Sequence, residues 1–392
     1  MNNQSIKQMK TLNVHTKQRC FFIKSITVLS LSFILQGRSC RSGGGTMDYM
    51  VKKIDDKQFI KEIGNKKDIS QEDEVGNNML YAAVSNKELQ KVVLVLKRID
   101  EDIASKRDLE YNHKDFPNTY YNNSNKTALG LAIEKNYIEI VKRLAQSEHI
   151  DINKAKKGST SLLEALLNKK KEIATILLND PKTDIRTKDA TSGSSPLHLA
   201  IEQKLEDIAS LLITKLSDQD LKGKNKKGDT PLHLAIEHNL DDVVLSLVKK
   251  FSTIEDLCDK DKKGRTPLHM AVRGTDTNAF QIVFHRIEHL CNDKSTSIGK
   301  LFEKDTKGRS VFARAYLPKY DTQRRVRIFE ENMKPFASIL STVHNNLTTT
   351  DWESIANEIN SLEQKRTINE GYRAKLLKIV DRYKPLQNAI GA

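Results

Sequence analysis

The 392-residue chain predicts an all-α fold: a solenoid of stacked helix–turn–helix units closed by helical caps. Three observations carry this reading. The hexapeptide Thr230-Pro231-Leu232-His233-Leu234-Ala235 returns as Thr266-Pro267-Leu268-His269-Met270-Ala271 and, with Ser leading, as Ser195-Pro196-Leu197-His198-Leu199-Ala200. Each copy opens an apolar stripe at helical spacing, and a second stripe follows after a short polar break. Only 38% of residues are hydrophobic and 6% aromatic, which suits thin helix pairs better than one deep core. The length alone predicts two or three globular domains, but solenoids grow by addition and have no single core.

Residues 1–46 read as a leader. They hold seven cations (Lys7, Lys10, Lys17, Arg19, Lys24, Arg38, Arg41) and no acid, so the formal charge of +14 for the whole chain falls to +7 beyond them. That subtraction removes much of the case for nucleic-acid binding. The apolar run from Ser25 to Leu35 has eleven residues. This suits the core of a secretory signal and is short of the roughly 20 residues of a membrane-spanning helix. Cys40 follows Ser39 and precedes the flexible tether Gly43-Gly44-Gly45. This arrangement resembles the bacterial lipoprotein signal, which implies lipidation of Cys40 as the mature N-terminus, although Gly37 and Arg38 depart from that pattern. Cleavage after Ser39 by an ordinary signal peptidase is a second reading. A third is a cytoplasmic protein whose translation starts at Met47. The expected location is therefore secreted or membrane-anchored, with the cytoplasm as the alternative.

Residues 47–75 are expected to form an N-terminal helical cap, with Tyr49, Ile54, Phe59 and Ile63 as its apolar side. Residues 76–330 carry about seven repeats. Anchors in one frame fall at Asn78, Thr127, Thr160, Ser195, Thr230, Thr266 and Ser310, spaced by 49, 33, 35, 35, 36 and 44 residues. The unit makes physical sense. Thr at the N-cap accepts a bond from a free backbone N–H of the first turn. Pro beside it has the right φ and lacks only a donor that would be orphaned there anyway. Leu232, Ala235 and Ile236 form one stripe, and Val243, Val244, Leu247 and Val248 form the next. One such pair cannot bury both faces alone, but stacked neighbours can.

A T-P-L-H-x-A frame at a period of about 33 resembles the ankyrin-repeat family from about residue 60 to 330. The resemblance implies an ankyrin-repeat solenoid whose pre-anchor segments form short hairpin fingers along one edge. It also implies that His198, His233 and His269 are structural brackets bonded to the Thr and the loop backbone, rather than metal ligands. Thr230, Pro231, Thr266, Pro267 and Pro196 are then structural anchors. The Gly usual between the paired helices is absent, and Asn136, Asn239, Lys87, Lys169 and Lys204 stand in its place. Lys in a left-handed conformation costs on the order of 1 kcal/mol, so stability should be uneven. The Thr160 copy, lacking both Pro and His, should be among the weaker ones.

Two insertions interrupt the period, near residues 100–126 and 290–305. The first carries Tyr111, Phe116, Tyr120 and Tyr121, a cluster of rings in an aromatic-poor chain and a candidate partner anchor. The finger segments carry Lys156, Lys157, Lys226, Lys227, Lys262 and Lys263. Stacking aligns them into a row that could dock an acidic partner or an anionic membrane. Asp189, Asp259, Asp261 and Asp305 are expected to dilute that charge, leaving solvated turn tips. Lys is a poor reader of bases, so specific DNA binding is not expected. Cys258 and Cys291 fall at the expected ends of second helices in neighbouring repeats. About 10 Å of stacking is too far for a disulfide, so both should be free, partly buried thiols.

Residues 331–392 leave the repeat pattern. Thr350-Asp351-Trp352-Glu353 reads as a capping box, and Tyr372, Leu376, Ile379, Val380 and Tyr383 as a stripe, so a C-terminal helical cap or module is expected. No phosphate loop, HExxH, GxSxG or paired Cys/His spacing occurs, so neither catalytic residue, metal nor cofactor is expected. The expected function is a monomeric, non-enzymatic scaffold or adaptor for an unknown protein partner. It would bind through the concave face and the fingers, at a host-facing or cell-surface location. The alternative is a lipid-anchored peripheral membrane protein whose lysine row contacts anionic surfaces.

Overall fold

The computed structural model describes residues 46–65, 72, 77–105, 116–119, 125–156, 158–272, 278–291, 303–309, 311, 356–357, 374 and 377–378. Two helices come first, α1 (Thr46–Lys53) and α2 (Asp56–Asn65). Six helix pairs follow: α3 (Met79–Ser85) with α4 (Leu89–Ala104), α5 (Ala128–Glu134) with α6 (Ile138–Ala145), and α7 (Ser161–Leu167) with α8 (Lys171–Asn179). Next are α9 (Pro196–Glu202) with α10 (Glu206–Lys215), α12 (Pro231–Glu237) with α13 (Asp241–Lys250), and α15 (Pro267–Ala271) with α16 (Asn278–Cys291). One-turn helices α11 (Asp218–Leu221) and α14 (Ile254–Leu257) follow α10 and α13. No strand occurs among the described residues, which fits the all-α solenoid.

First helices pack on first helices (α3, α5, α7, α9, α12, α15) and second helices on second helices (α4, α6, α8, α10, α13, α16). The sixth residue of each frame lies between them. Ala83, Ala132, Ala165, Ala200, Ala235 and Ala271 are all buried, because only a small side chain lets the helices approach there. Leu197, Leu232, Val243, Val244 and Leu247 are fully buried, each contributing roughly 1.5–3 kcal/mol relative to exposure.

Every anchor in a described pair is an N-cap. The side chains of Asn78, Thr127, Thr160, Ser195, Thr230 and Thr266 each accept from the N–H three residues on. Ser310 lies outside the described residues, but Val311 is helical and buried. The helix-to-helix turns sit where the sequence places them. Lys87, Asn136, Lys169, Lys204 and Asn239 all have φ between 55° and 60°, the left-handed region that a Cβ disfavours.

Basic side chains from second helices clamp the ends of preceding helices. Lys91 of α4 donates to the Val51 carbonyl of α1, and Arg98 Nη1 donates to the Ile63 carbonyl of α2 at 2.9 Å. Arg98 also pairs with the buried Asp102 at 2.7 Å. Arg286 of α16 donates to the Phe251 carbonyl at 2.7 Å, just past α13. Such cations complement the negative end of a helix dipole. Val51, Phe59 and Ile63 are buried against the first repeat, so α1 and α2 cover the open N-terminal end. Far along the chain, Ala356 and Leu377 pack against the same core.

Part of the first insertion extends α4 to sixteen residues. A 3-10 turn, Phe116–Asn118, is pinned by Asn118, which donates to the His149 carbonyl at 2.9 Å and accepts from the Asp151 N–H at 2.6 Å. One placement needs correction. Cys258 does not end a second helix; α13 ends at Lys250, and Cys258 caps the one-turn α14 instead. It is buried and outside any disulfide, whereas Cys291 does close α16.

Candidate docking surface

Three imidazoles join each repeat to the next. His198 Nε2 lies 3.0 Å from the Asp229 carbonyl, His233 Nε2 2.9 Å from that of Arg265, and His269 Nε2 3.2 Å from that of Arg309. A carbonyl only accepts, so Nε2 carries the proton and Nδ1 is the acceptor. Nδ1 receives the cap residue's backbone N–H and lies 2.7–2.8 Å from its hydroxyl. Burial pushes the His198 imidazole down to about 4 and also lowers that of His233, so both are neutral near pH 7. The bracket therefore reaches into the following finger, which the repeat frame by itself did not specify. Gly130 and Leu163 occupy the histidine position in the second and third repeats. At Gly130 the neighbouring backbone moves in: the Thr127 N–H donates to the Ala155 carbonyl at 2.8 Å and the Thr127 hydroxyl to that of Lys154 at 2.8 Å.

The finger segments are bonded to one another. The N–H of Lys226 donates to the Ser192 carbonyl at 2.9 Å, that of Lys262 to Lys227 at 3.2 Å, and that of Thr306 to Lys263 at 3.0 Å. A second line of lysines runs forward. Lys188 Nζ donates to the Lys224 carbonyl at 3.0 Å, Lys224 to that of Lys260 at 3.0 Å, and Lys260 to that of Lys304 at 3.4 Å. Lys224 and Lys260 also pair with Asp259 and Glu303 at 2.9 and 2.6 Å. These lysines hold repeats together.

Two of the four finger acids turn inward, against the expectation that they dilute the tips. Asp261 and Asp305 are buried, each accepting from two backbone N–H groups of its own turn and pairing with Arg265 or Arg309. Burial alone would raise the Asp305 carboxyl, but the bonds from Arg309 and the turn N–H groups outweigh it and hold it at about 2. Asp189 accepts from the N–H and hydroxyl of Ser192, and Asp259 is held by Lys224. Lys156, Lys226, Lys227, Lys262, Lys263 and Lys307 remain exposed at the tips.

The last residue of the first helix lies beside the fingers, on the groove face of the stack: Lys126 donates to Glu134, and Ser194 to Glu202 at 3.4 Å. This position holds Glu134, Leu167, Glu202 and Glu237. Glu134 pairs with Lys126, whose bond lowers its carboxyl. Burial raises that of Glu202, against the field of Lys227 and a bond from Ser194. Leu167 is 42% exposed and interrupts the column. Asp220 of α11 and Asp256 of α14 complete capping boxes with Ser217 and Thr253, a sequence signal that the repeat frame passed over.

Of the other candidates, Tyr111, Tyr120, Tyr121, Lys157 and Cys40 lie outside the described residues, and Phe116 opens the 3-10 turn. Among the described residues, no helix is long and apolar enough to cross a membrane, and no group of three or more His, Cys, Asp or Glu could hold a metal ion.

Comparison with known proteins gives one family. The description "Ankyrin repeats (3 copies)" matches in four overlapping stretches, residues 47–156, 102–189, 162–256 and 197–293. No curated protein matches the chain. Among solved structures, the ankyrin repeat domain of Bcl-3, of the IκB protein family, is similar at 19% identity and a TM-score of 0.47, covering 66% of this chain and 100% of that one. The human ASB11 ankyrin repeat domain is similar at 16% identity and a TM-score of 0.43, covering 64% of this chain and 98% of that one. The ankyrin repeat protein EF0377 gives 23%, 0.41, 52% and 95% in the same order. With the family matched from residue 47 to 293, and with capped helix pairs stacked through that span, the chain belongs to the ankyrin-repeat family.

Proposed function

We propose that the protein is a non-enzymatic scaffold or adaptor that binds a partner protein through the groove face of its first helices and its finger edge. Ankyrin repeats are in general protein–protein interaction modules. One observation carries the reading for this chain. The buried positions repeat (Ala, Leu and the N-cap), whereas the groove column changes from Glu134 to Leu167 to Glu202. Stacking uses the constant positions and leaves for recognition the varied ones, exposed at Glu134, Leu167 and Glu237 and half-buried at Glu202. An exposed leucine between carboxylates suits specific contact better than solvation.

The test is capture with the full chain beside a Leu167→Asp, Glu237→Lys variant. The reading expects a defined partner retained by the first and lost by the second. If both retain the same proteins, or neither retains any, the groove is not the docking face. The Tyr-rich insertion is a further candidate anchor. Partner affinity unchanged by Tyr120→Ala with Tyr121→Ala would remove it.

A second reading, favoured by the Cys40 context, is a secreted or lipid-anchored protein held at a membrane with the lysine tips against anionic headgroups. Mass measurement of the mature N-terminus and flotation of residues 47–392 with anionic vesicles distinguish the two. A lipid-modified Cys40 and salt-sensitive flotation support the membrane reading; an unprocessed or Met47 N-terminus with no flotation rejects it.

A further inference from the structure

The finger edge carries a charge pattern that its composition conceals. Acids and bases alternate in the last two fingers, Asp259 to Lys262 and Glu303 to Asp305, yet they separate in space. Asp261 and Asp305 are spent on their own turns and arginines. The lysines of the inner line, Lys188, Lys224 and Lys260, are spent on neighbouring carbonyls. Lys226 reaches the Ala190 carbonyl at 2.6 Å. Among the described residues, Lys227, Lys262, Lys263 and Lys307 are exposed and pair with no acid. The finger-to-finger N–H···O bonds fix the backbone spacing of these tips, so little backbone freedom is lost when a ligand engages them.

We propose that the tips form a cationic comb that seats an extended acidic protein segment lying along the stack, with a carboxylate at every third residue. This rests on the docking reading above and names the partner's chemistry. Equivalent points on stacked helices are about 10 Å apart, and a segment in the extended polyproline II conformation advances about 3.1 Å per residue with three residues per turn, so every third side chain falls on one side and meets a new finger. A broad anionic surface fits less well. Glu202 and Glu237 stand on the adjoining groove face and repel it, whereas a single strand is narrow enough to avoid them.

The experiment uses the full chain and two synthetic peptides of equal composition on a Ser/Gly background. One carries Glu at every third position and the other carries its Glu residues in one block. Binding is measured at two salt concentrations for the wild type, for a Lys227→Gln, Lys262→Gln, Lys263→Gln, Lys307→Gln variant, and for a control variant. The control loses the same charge at exposed Lys182, Lys215, Lys249 and Lys250. The spaced peptide should bind more tightly than the blocked one. The tip variant should lose on the order of tenfold in affinity and most of the salt dependence, and the control less than about twofold. Equal binding of the two peptides, undiminished binding by the tip variant, or tip-dependent binding only to phosphatidylcholine–phosphatidylserine vesicles overturns the comb. A partner that survives the tip variant but is lost on Leu167→Asp, Glu237→Lys would overturn the comb while leaving the docking reading in place.

Discussion

A Cβ placed on Gly130 would lie 2.0 Å from the carbonyl oxygen of Ala155 in the next finger. That carbonyl already accepts the Thr127 N–H at 2.8 Å, so it cannot retreat without breaking the contact between repeats. Gly130→Ala should therefore destabilise by about 1–3 kcal/mol or more, an overpacking cost borne by backbone. Gly64, near the end of α2, has open space at its Cβ position. Gly64→Ala should raise stability by about 0.5–1 kcal/mol. Urea unfolding midpoints compare the two; a neutral Gly130→Ala would mean that the repeats separate more readily than this contact implies.

Acid should loosen the stack before the carboxylates titrate. His198 falls from 6.5 to about 4 on folding, chiefly by burial, and His233 is also lowered. The unfolded chain then binds more protons, so the stabilisation is present above pH 6.5 and is lost as pH falls toward 4. For His198 alone this is on the order of 3 kcal/mol over that span. Glu202 and Asp229 are raised and work in the opposite sense, favouring the folded state at lower pH. The histidine effect is thus read between pH 6.5 and 5.5. Thermal midpoints should fall across that window in wild type and fall less in a His198→Gln, His233→Gln variant; parallel slopes would reject the mechanism.

The three lysines with φ of 55–60°, Lys87, Lys169 and Lys204, carry side chains in a conformation that glycine adopts freely. Each Lys→Gly replacement should stabilise by about 0.5–1 kcal/mol after the extra freedom of glycine in the unfolded chain is counted. Asn136→Gly and Asn239→Gly should gain less, since Asn tolerates this region. Denaturant titration of the five single variants gives the ordering; an equal gain at Asn and Lys would contradict it.

Arg98→Met should release the N-terminal cap. It removes the bond to the Ile63 carbonyl and leaves Asp102, with a side chain only 5% exposed, without its 2.7 Å partner. Stranding a buried charge costs about 3–5 kcal/mol. Adding Asp102→Leu should recover most of that. Hydrogen exchange of residues 46–65 reports the undocking, and protection equal to wild type in the single variant would show that the apolar contacts of Phe59 and Ile63 suffice.

What the sequence disclosed follows from what repetition reveals. The caps, the stripes and the five turn positions recur at one spacing, so each copy corroborates the others. Gly130 reads as a degraded copy in one dimension, and only the approach of Ala155 shows it as a different joint. The fate of the finger acids was hidden for the same reason. Whether Asp261 faces water or its own Arg265 depends on a turn that buries the carboxylate, and composition counts both alike. The one-turn helices α11 and α14 were overlooked because four residues are too few for a periodic signal, although Ser217 with Asp220 and Thr253 with Asp256 announce them.

The bonds between repeats have a direction. His198, His233 and His269, with Lys188, Lys224 and Lys260, all give their side-chain protons to a carbonyl one unit nearer the C-terminus, whereas the backbone N–H groups of the fingers give theirs toward the N-terminus. The two ends are therefore not equivalent to shortening. A chain trimmed from the C-terminal side leaves its new last imidazole without the carbonyl that receives its proton. A chain trimmed from the other side leaves turn amides and long cations such as Lys226 and Arg286, which water can serve.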